Sequence, residues 1–112
     1  MELKTKEQLA SDRETAKLQD PTCRDFIVTL DTDDETKTAT FFLRKPDKTT
    51  RSMVDKLVNK GLSENAVKAC LKALYLGGDD IACLDKYDDA MISAEAGVVE
   101  LLKVQAAIIK KN

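Results

Sequence analysis

"FIVTL" (Phe26 to Leu30) and "TATFFLRK" (Thr38 to Lys45) decide how this chain folds. In the first run Phe26, Val28 and Leu30 share one face, and in the second Ala39, Phe41 and Leu43 do, the period-two pattern of strands with a buried side. The intervening "DTDDETK" is polar and acidic, so the runs form a hairpin over residues 24 to 45 with a long loop. A lone two-stranded hairpin is marginal in water. Its apolar face therefore requires a cover of helices, or extension of the sheet by another copy of the chain.

Outward from the hairpin, the period changes at "FFLRKPDKTT" (41 to 50) from two to about three and a half. Asp47 or Thr49 can cap a helix over about 47 to 60, with Met53, Val54, Leu57 and Val58 on one face and Gly61 ending it. Ser63 caps a second helix over about 63 to 76, in which Val67, Leu71 and Leu74 run beside the small residues Ala66, Ala69, Cys70 and Ala73. Gly77 and Gly78 break it, and Asp79 or Asp80 caps a short helix over 79 to 86. "DKYDD" is a further polar break before a last helix over about 93 to 110. Residues 1 to 20 carry good helix formers but only a thin apolar stripe, so they read as a weakly docked helical arm that stops at Asp20-Pro21. The expected fold is α+β: a helical arm, then a single domain over 21 to 112 in which the hairpin packs on about four helices.

Composition narrows function. The 112 residues suffice for one core, and 18 basic against 20 acidic side chains leave a net charge of −2, which gives no global field toward nucleic acid or an anionic membrane. No stretch has the length of a membrane span, and the charged start lacks the pattern of a secretion signal, so a cytoplasmic location is expected. The three cysteines, Cys23, Cys70 and Cys83, share no C-x-x-C spacing and suit reduced thiols. Histidine is absent, which removes the commonest general base, the commonest metal ligand and every Ser-His or Cys-His pairing.

The acidic motifs have simple structural readings. Asp31, Asp33 and Glu35 match the first spacings of a calcium loop, but the glycine and glutamate positions are held by Thr36 and Phe42, and the loop joins strands. "GGDD" (77 to 80) has the letters of a two-metal polymerase site without the surrounding domain, and helix ends account for it. A carboxylate-dependent hydrolase built on Asp79, Asp80 or the Asp85, Asp88 and Asp89 cluster is the least favoured function. No catalytic residue, metal or cofactor is expected, and with aromatic residues at 4% there is no stacking platform for single-stranded nucleic acid.

Two features point to protein contacts. The last helix is apolar around most of its circumference, with Val98, Val99, Leu101, Leu102, Val104, Ala106, Ile108 and Ile109. Such a helix is either the central rod of the helical layer or meets another molecule. Val98, Leu101, Leu102, Ile108 and Ile109 are the candidate contact residues. Arg44, Lys45, Lys48 and Arg51 form a second candidate surface, suited to a protein's acidic face, although a proline beside a helix start explains the corner by itself.

The order of hairpin, basic-proline corner "FFLRKPDKTT", helix "AVKACLKALYL", aspartate-bearing turn "GGDDIACLDKY" and closing helix "AGVVELLKVQAAIIKK" resembles the small tail assembly chaperone-like proteins of tailed phages and prophages over roughly residues 24 to 112. The resemblance implies a non-enzymatic helper in the bacterial host cytoplasm that holds the tape-measure or tail-tube protein during assembly and is absent from the finished particle; self-association is a separate expectation, for which the hairpin's edge offers strand pairing. The alternative is a structural or regulatory component of a prophage or mobile element.

Overall fold

Phe41, Phe42 and Leu43 are all fully buried, which a strand with one wet face cannot achieve. In the computed structural model, which describes residues 3–61, 63–87 and 89–110 with side chains as far as Leu102, the reason is a cover on each side of the sheet. The elements are α1 (Lys6–Gln19), β1 (Arg24–Thr29), β2 (Thr38–Leu43), α2 (Lys48–Asn59), α3 (Ser63–Leu74), β3 (Tyr75–Gly78), a 3-10 turn (Ile81–Lys86) and α4 (Ala90–Lys110). The expected α+β class holds.

The sheet has order β1-β2-β3 and is antiparallel throughout, so the hairpin is extended within the chain itself. Phe26 lies opposite Phe41 and Val28 opposite Ala39; with Leu30 and Leu43 these side chains meet Val67, Leu71 and Leu74 of α3, and Ala94 and Val98 of α4, in the main core. The other face, carrying Thr40 and Phe42, is roofed by α1, which packs on β2 and β3. The Arg13 guanidinium lies 5.3 Å from the centre of the Phe42 ring and pairs with Asp25 of β1 at 2.8 Å. The roof stops short of the edge strand β1, where Ile27 remains 62% exposed.

The arm is thus an integral layer. Thr5 and Gln8 form a reciprocal capping box at its start, and Ala16 is fully buried. The thin apolar stripe of α1 suffices because its neighbour is a glycine pair: Gly77 lies against Asp12, within 3.8 Å of where its own side chain would begin.

β3 corrects the expected helix over 63 to 76, which ends at Leu74. Tyr75 follows directly as strand, and the Arg44 amide donates to the Leu74 carbonyl at 2.9 Å where the two elements meet. Gly78 has φ +102°, and a Cβ there would lie 2.4 Å from the Thr40 carbonyl oxygen, so only glycine lets this strand approach β2. The short helix expected over 79 to 86 is the 3-10 turn, capped by Asp80. The last helix starts at Ala90, three residues before Ser93. The Ser93 hydroxyl, inside the first turn, accepts the Thr29 amide of β1 at 3.0 Å.

Asp79 is 2% exposed, and its carboxylate accepts the backbone amides of Lys4 and Thr40, each at 2.8 Å. Its own amide donates to the Thr40 carbonyl at 2.8 Å, and the Tyr75 hydroxyl donates toward the carbonyls of Gly78 and Asp79. One buried carboxylate therefore joins the entry to α1, the central strand and the end of β3.

Two substitutions test this packing. Asp79→Ala strands two amides in a largely dry site, at about 1–3 kcal/mol for each unpaired group, and amide hydrogen exchange over α1 is expected to rise more than exchange over α3. Gly97→Ala places a methyl 2.6 Å from the Phe26 ring edge, and thermal unfolding should show an overpacking loss of about 1–3 kcal/mol.

Candidate protein-docking groove

α2 and α4 each pack on α3, and between them runs an open groove of about 470 Å³. Three stripes line it at helical spacing: Arg51, Val54, Asp55 and Val58 from α2, Ser63, Ala66 and Val67 from α3, and Glu95, Val98, Val99 and Leu102 from α4. Each follows the i, i+3, i+4 rule that brings side chains onto one helix face. Val54, Ala66, Val67 and Val98 form the buried floor, while Val58 and Val99 stand 49% and 56% exposed on the walls. The volume lies within the range of about 300–1,000 Å³ typical of sites that take a bound group.

Three ionisable side chains, Arg51, Asp55 and Glu95, edge the groove, and the first is informative. Arg51 forms no ion pair among the described residues, and its Nε is buried without a hydrogen-bond partner. A buried donor left unpaired costs about 1–3 kcal/mol, and a carboxylate arriving from a bound molecule would satisfy it.

α2 is held at the corner by its cap. Asp47 accepts the Thr50 amide at 2.8 Å and pairs with Arg44 at 3.0 Å, and Arg44 also donates to the Ala73 carbonyl at 3.1 Å. Hydrogen bonds from Thr50, side chain and amide, followed by the one from Arg44, lower the Asp47 carboxyl to about 2. Gly61, with φ +77°, turns the chain from α2 toward α3.

The candidate contact residues separate into several groups. Val98 (4% exposed) and Leu101 (9% exposed) belong to the chain's own core, because α4 is the rod on which α3, β1 and the 3-10 turn close. Both are core residues in this fold, and Val98 also forms part of the groove floor. Leu102 is half-buried and lines the groove wall. Ile108 and Ile109 lie outside the residues whose side chains are described. The basic corner does not act as one patch: Arg44 is engaged with Asp47 and Ala73, Arg51 turns into the groove, and Lys45 and Lys48 are exposed.

Sequence reasoning missed Val58, Val99, Asp55 and Glu95. The signal was present as the matching stripes 51/54/55/58 and 95/98/99/102, but only the placement of both helices on α3 shows that the two face one another.

The acidic motifs are structural in this fold. Asp80 caps the 3-10 turn through the Ala82 amide at 2.9 Å, Asp85 pairs with Lys68 at 2.7 Å, and Asp89 accepts the Thr32 amide and hydroxyl. Asp31 and Asp34 close turns within the hairpin loop by accepting the amides of Asp33 and Thr36. Asp88 lies outside the described residues. Among the described residues no group of histidine, cysteine, aspartate or glutamate is placed to hold a metal ion, and no helix is long and apolar enough to cross a membrane. Burial raises the thiols of Cys70 and Cys83 to about 11, and it raises that of Cys23 as well.

Comparison with models of known protein families, with curated proteins and with solved structures finds no match.

The cap on α2 predicts a pH dependence. The Asp47 carboxyl is lowered to about 2 in the folded chain, against about 3.9 for an ordinary aspartate, so its contribution to stability is present above about pH 4 and is lost as pH falls toward 2. Asp20, Asp34 and Asp89 shift in the same direction through bonds from neighbouring threonines. Thermal melts should weaken across that window, and Asp47→Asn should flatten part of the decline.

Proposed function

We propose that this chain is a non-enzymatic, protein-binding assembly factor of the tail assembly chaperone kind, acting in a bacterial cytoplasm, and that its α2–α3–α4 groove takes an amphipathic helix of the tape-measure or tail-tube protein. The observation that carries this reading is the groove itself: apolar on its floor and at Val58 and Val99 of its walls, edged by Asp55 and Glu95, bounded by three helices, and holding an Arg51 Nε with no partner. A bound helix can pack as a further member of this helical layer, its aliphatic side chains between Val58 and Val99 and one of its carboxylates on Arg51. The exposed valines are apolar surface left over after folding, the property such a helper needs. The order of sequence elements from the hairpin to the closing helix supports the choice of client.

Overlapping helical fragments of tape-measure and tail-tube proteins, titrated calorimetrically, test the reading. Val58→Asp and Val99→Asp alter exposed positions, so the fold should survive by circular dichroism while fragment binding is lost. Arg51→Met keeps most of the apolar stem and removes an unpaired donor. The free variant should be at least as stable as the parent, yet bind at least about tenfold more weakly, the scale of one charge-assisted hydrogen bond. Undiminished binding by folded Val58→Asp and Val99→Asp chains would remove the groove from the reading, and failure of every fragment to bind would remove the client.

A further inference from the structure

The outward ridges of α1 and α2 are unpartnered and opposite in character. On α1, Glu7, Ser11, Glu14 and Leu18 follow one another at helical spacing on the side opposite the buried Ala16, and Leu18 is 89% exposed. Along α2 and its C-cap, Lys48, Ser52, Lys56 and Lys60 are exposed in a row at successive fourth positions, beside half-buried Met53 and Leu57. None of these acids and lysines forms an ion pair among the described residues. Lysines four apart repel one another along the helix, so Lys56 and Lys60 disfavour α2 in isolation.

We infer that the α2 ridge receives the α1 ridge of a second copy of this chain. The spacings agree: Glu7 and Glu14 are separated by about 10 Å along their helix and Lys48 and Lys56 by about 12 Å along theirs, at about 1.5 Å per residue. With the helices parallel, Glu7 falls beside Lys48 and Glu14 beside Lys56, and Leu18, one turn farther, reaches Leu57 and the stem of Lys60. This docking covers the most exposed large apolar side chain described and pairs both carboxylates in one register. Donor and receiver ridges are different surfaces, so the contact is head-to-tail and each copy can engage two neighbours, giving a ring or an open chain. Exposed ion pairs are individually weak and screened by salt, so association is modest and salt-sensitive. The contact uses neither wall of the groove, because the α2 ridge lies on a different side of that helix from Arg51, Val54 and Val58.

Sedimentation velocity of the full chain tests the inference. The wild type should associate at ionic strength of about 0.01 M, where screening extends over about 30 Å, and become monomeric at about 1 M, where it extends over about 3 Å. Glu7→Lys/Glu14→Lys gives a chain basic on both ridges, and Lys48→Glu/Lys56→Glu gives one acidic on both. Each alone should be a folded monomer at low salt, whereas an equimolar mixture should associate again, since every junction then pairs opposite charges. Leu18→Ser should weaken association of the otherwise unchanged chain at least tenfold. A wild type that stays monomeric at low salt, or a mixture of folded variants that does not associate, overturns the proposal. Association left intact in either double variant alone does so too. A monomeric wild type that binds duplex DNA at low salt would assign the lysine row to a nucleic-acid backbone instead.

Discussion

The structure depends on one buried carboxylate. Asp79 sits where the third strand ends, and by accepting amides from Lys4 and Thr40 it joins segments 75 and 39 residues away. Without it, the Thr40 amide on the central strand would face a β3 that has already ended, and the start of α1 would have no fixed point on the sheet. Burying a charge is costly unless its oxygens are satisfied, and here each oxygen meets a backbone donor. Glycine at position 78 supplies the close approach that the arrangement needs, since any side chain would strike the Thr40 carbonyl.

Much of the fold was legible because hydrophobic period is a local property. Phe26/Val28/Leu30 and Ala39/Phe41/Leu43 define the inner face of the sheet without reference to the rest of the chain, and Gly61 and Ser63 divide α2 from α3 in the same way. What escaped was set by distant partners. "YLGG" has too few residues and too little side chain to announce a strand, and becomes one because β2 offers a free edge. Phe42 breaks the alternation, which was the available sign that a second layer, α1, covers the other face. In α4, greasiness around the circumference fits a central rod and a partner surface alike, and only the packed fold shows that Val98 and Leu101 meet the chain's own core. The groove was present as stripes on separate helices, and stripes do not state which helix they face.

The ionisable groups sort into two populations. Asp47, Asp79, Asp80, Asp85 and Asp89 are engaged in holding helix starts, strands and turns, and the Cys70 and Cys83 thiols are buried and protonated at neutral pH. Arg51 and the outward ridges of α1 and α2 have no such internal duty. The unspent chemistry of this small domain therefore lies on its helical exterior: a cleft with an apolar floor edged by Arg51, Asp55 and Glu95, and charged ridges with aliphatic flanks.

The hydroxyl of Ser93 carries a last consequence. β1 is one of the sheet's two edge strands, and an edge strand with free amides invites a stranger's backbone to zip alongside. By taking the Thr29 amide, Ser93 removes a rung from that ladder and sets the beginning of a helix across the lip of the sheet. Lateral growth by backbone addition is discouraged at this edge. The edge of this small sheet is thus guarded at one rung against fusing with foreign strands into fibrous aggregates.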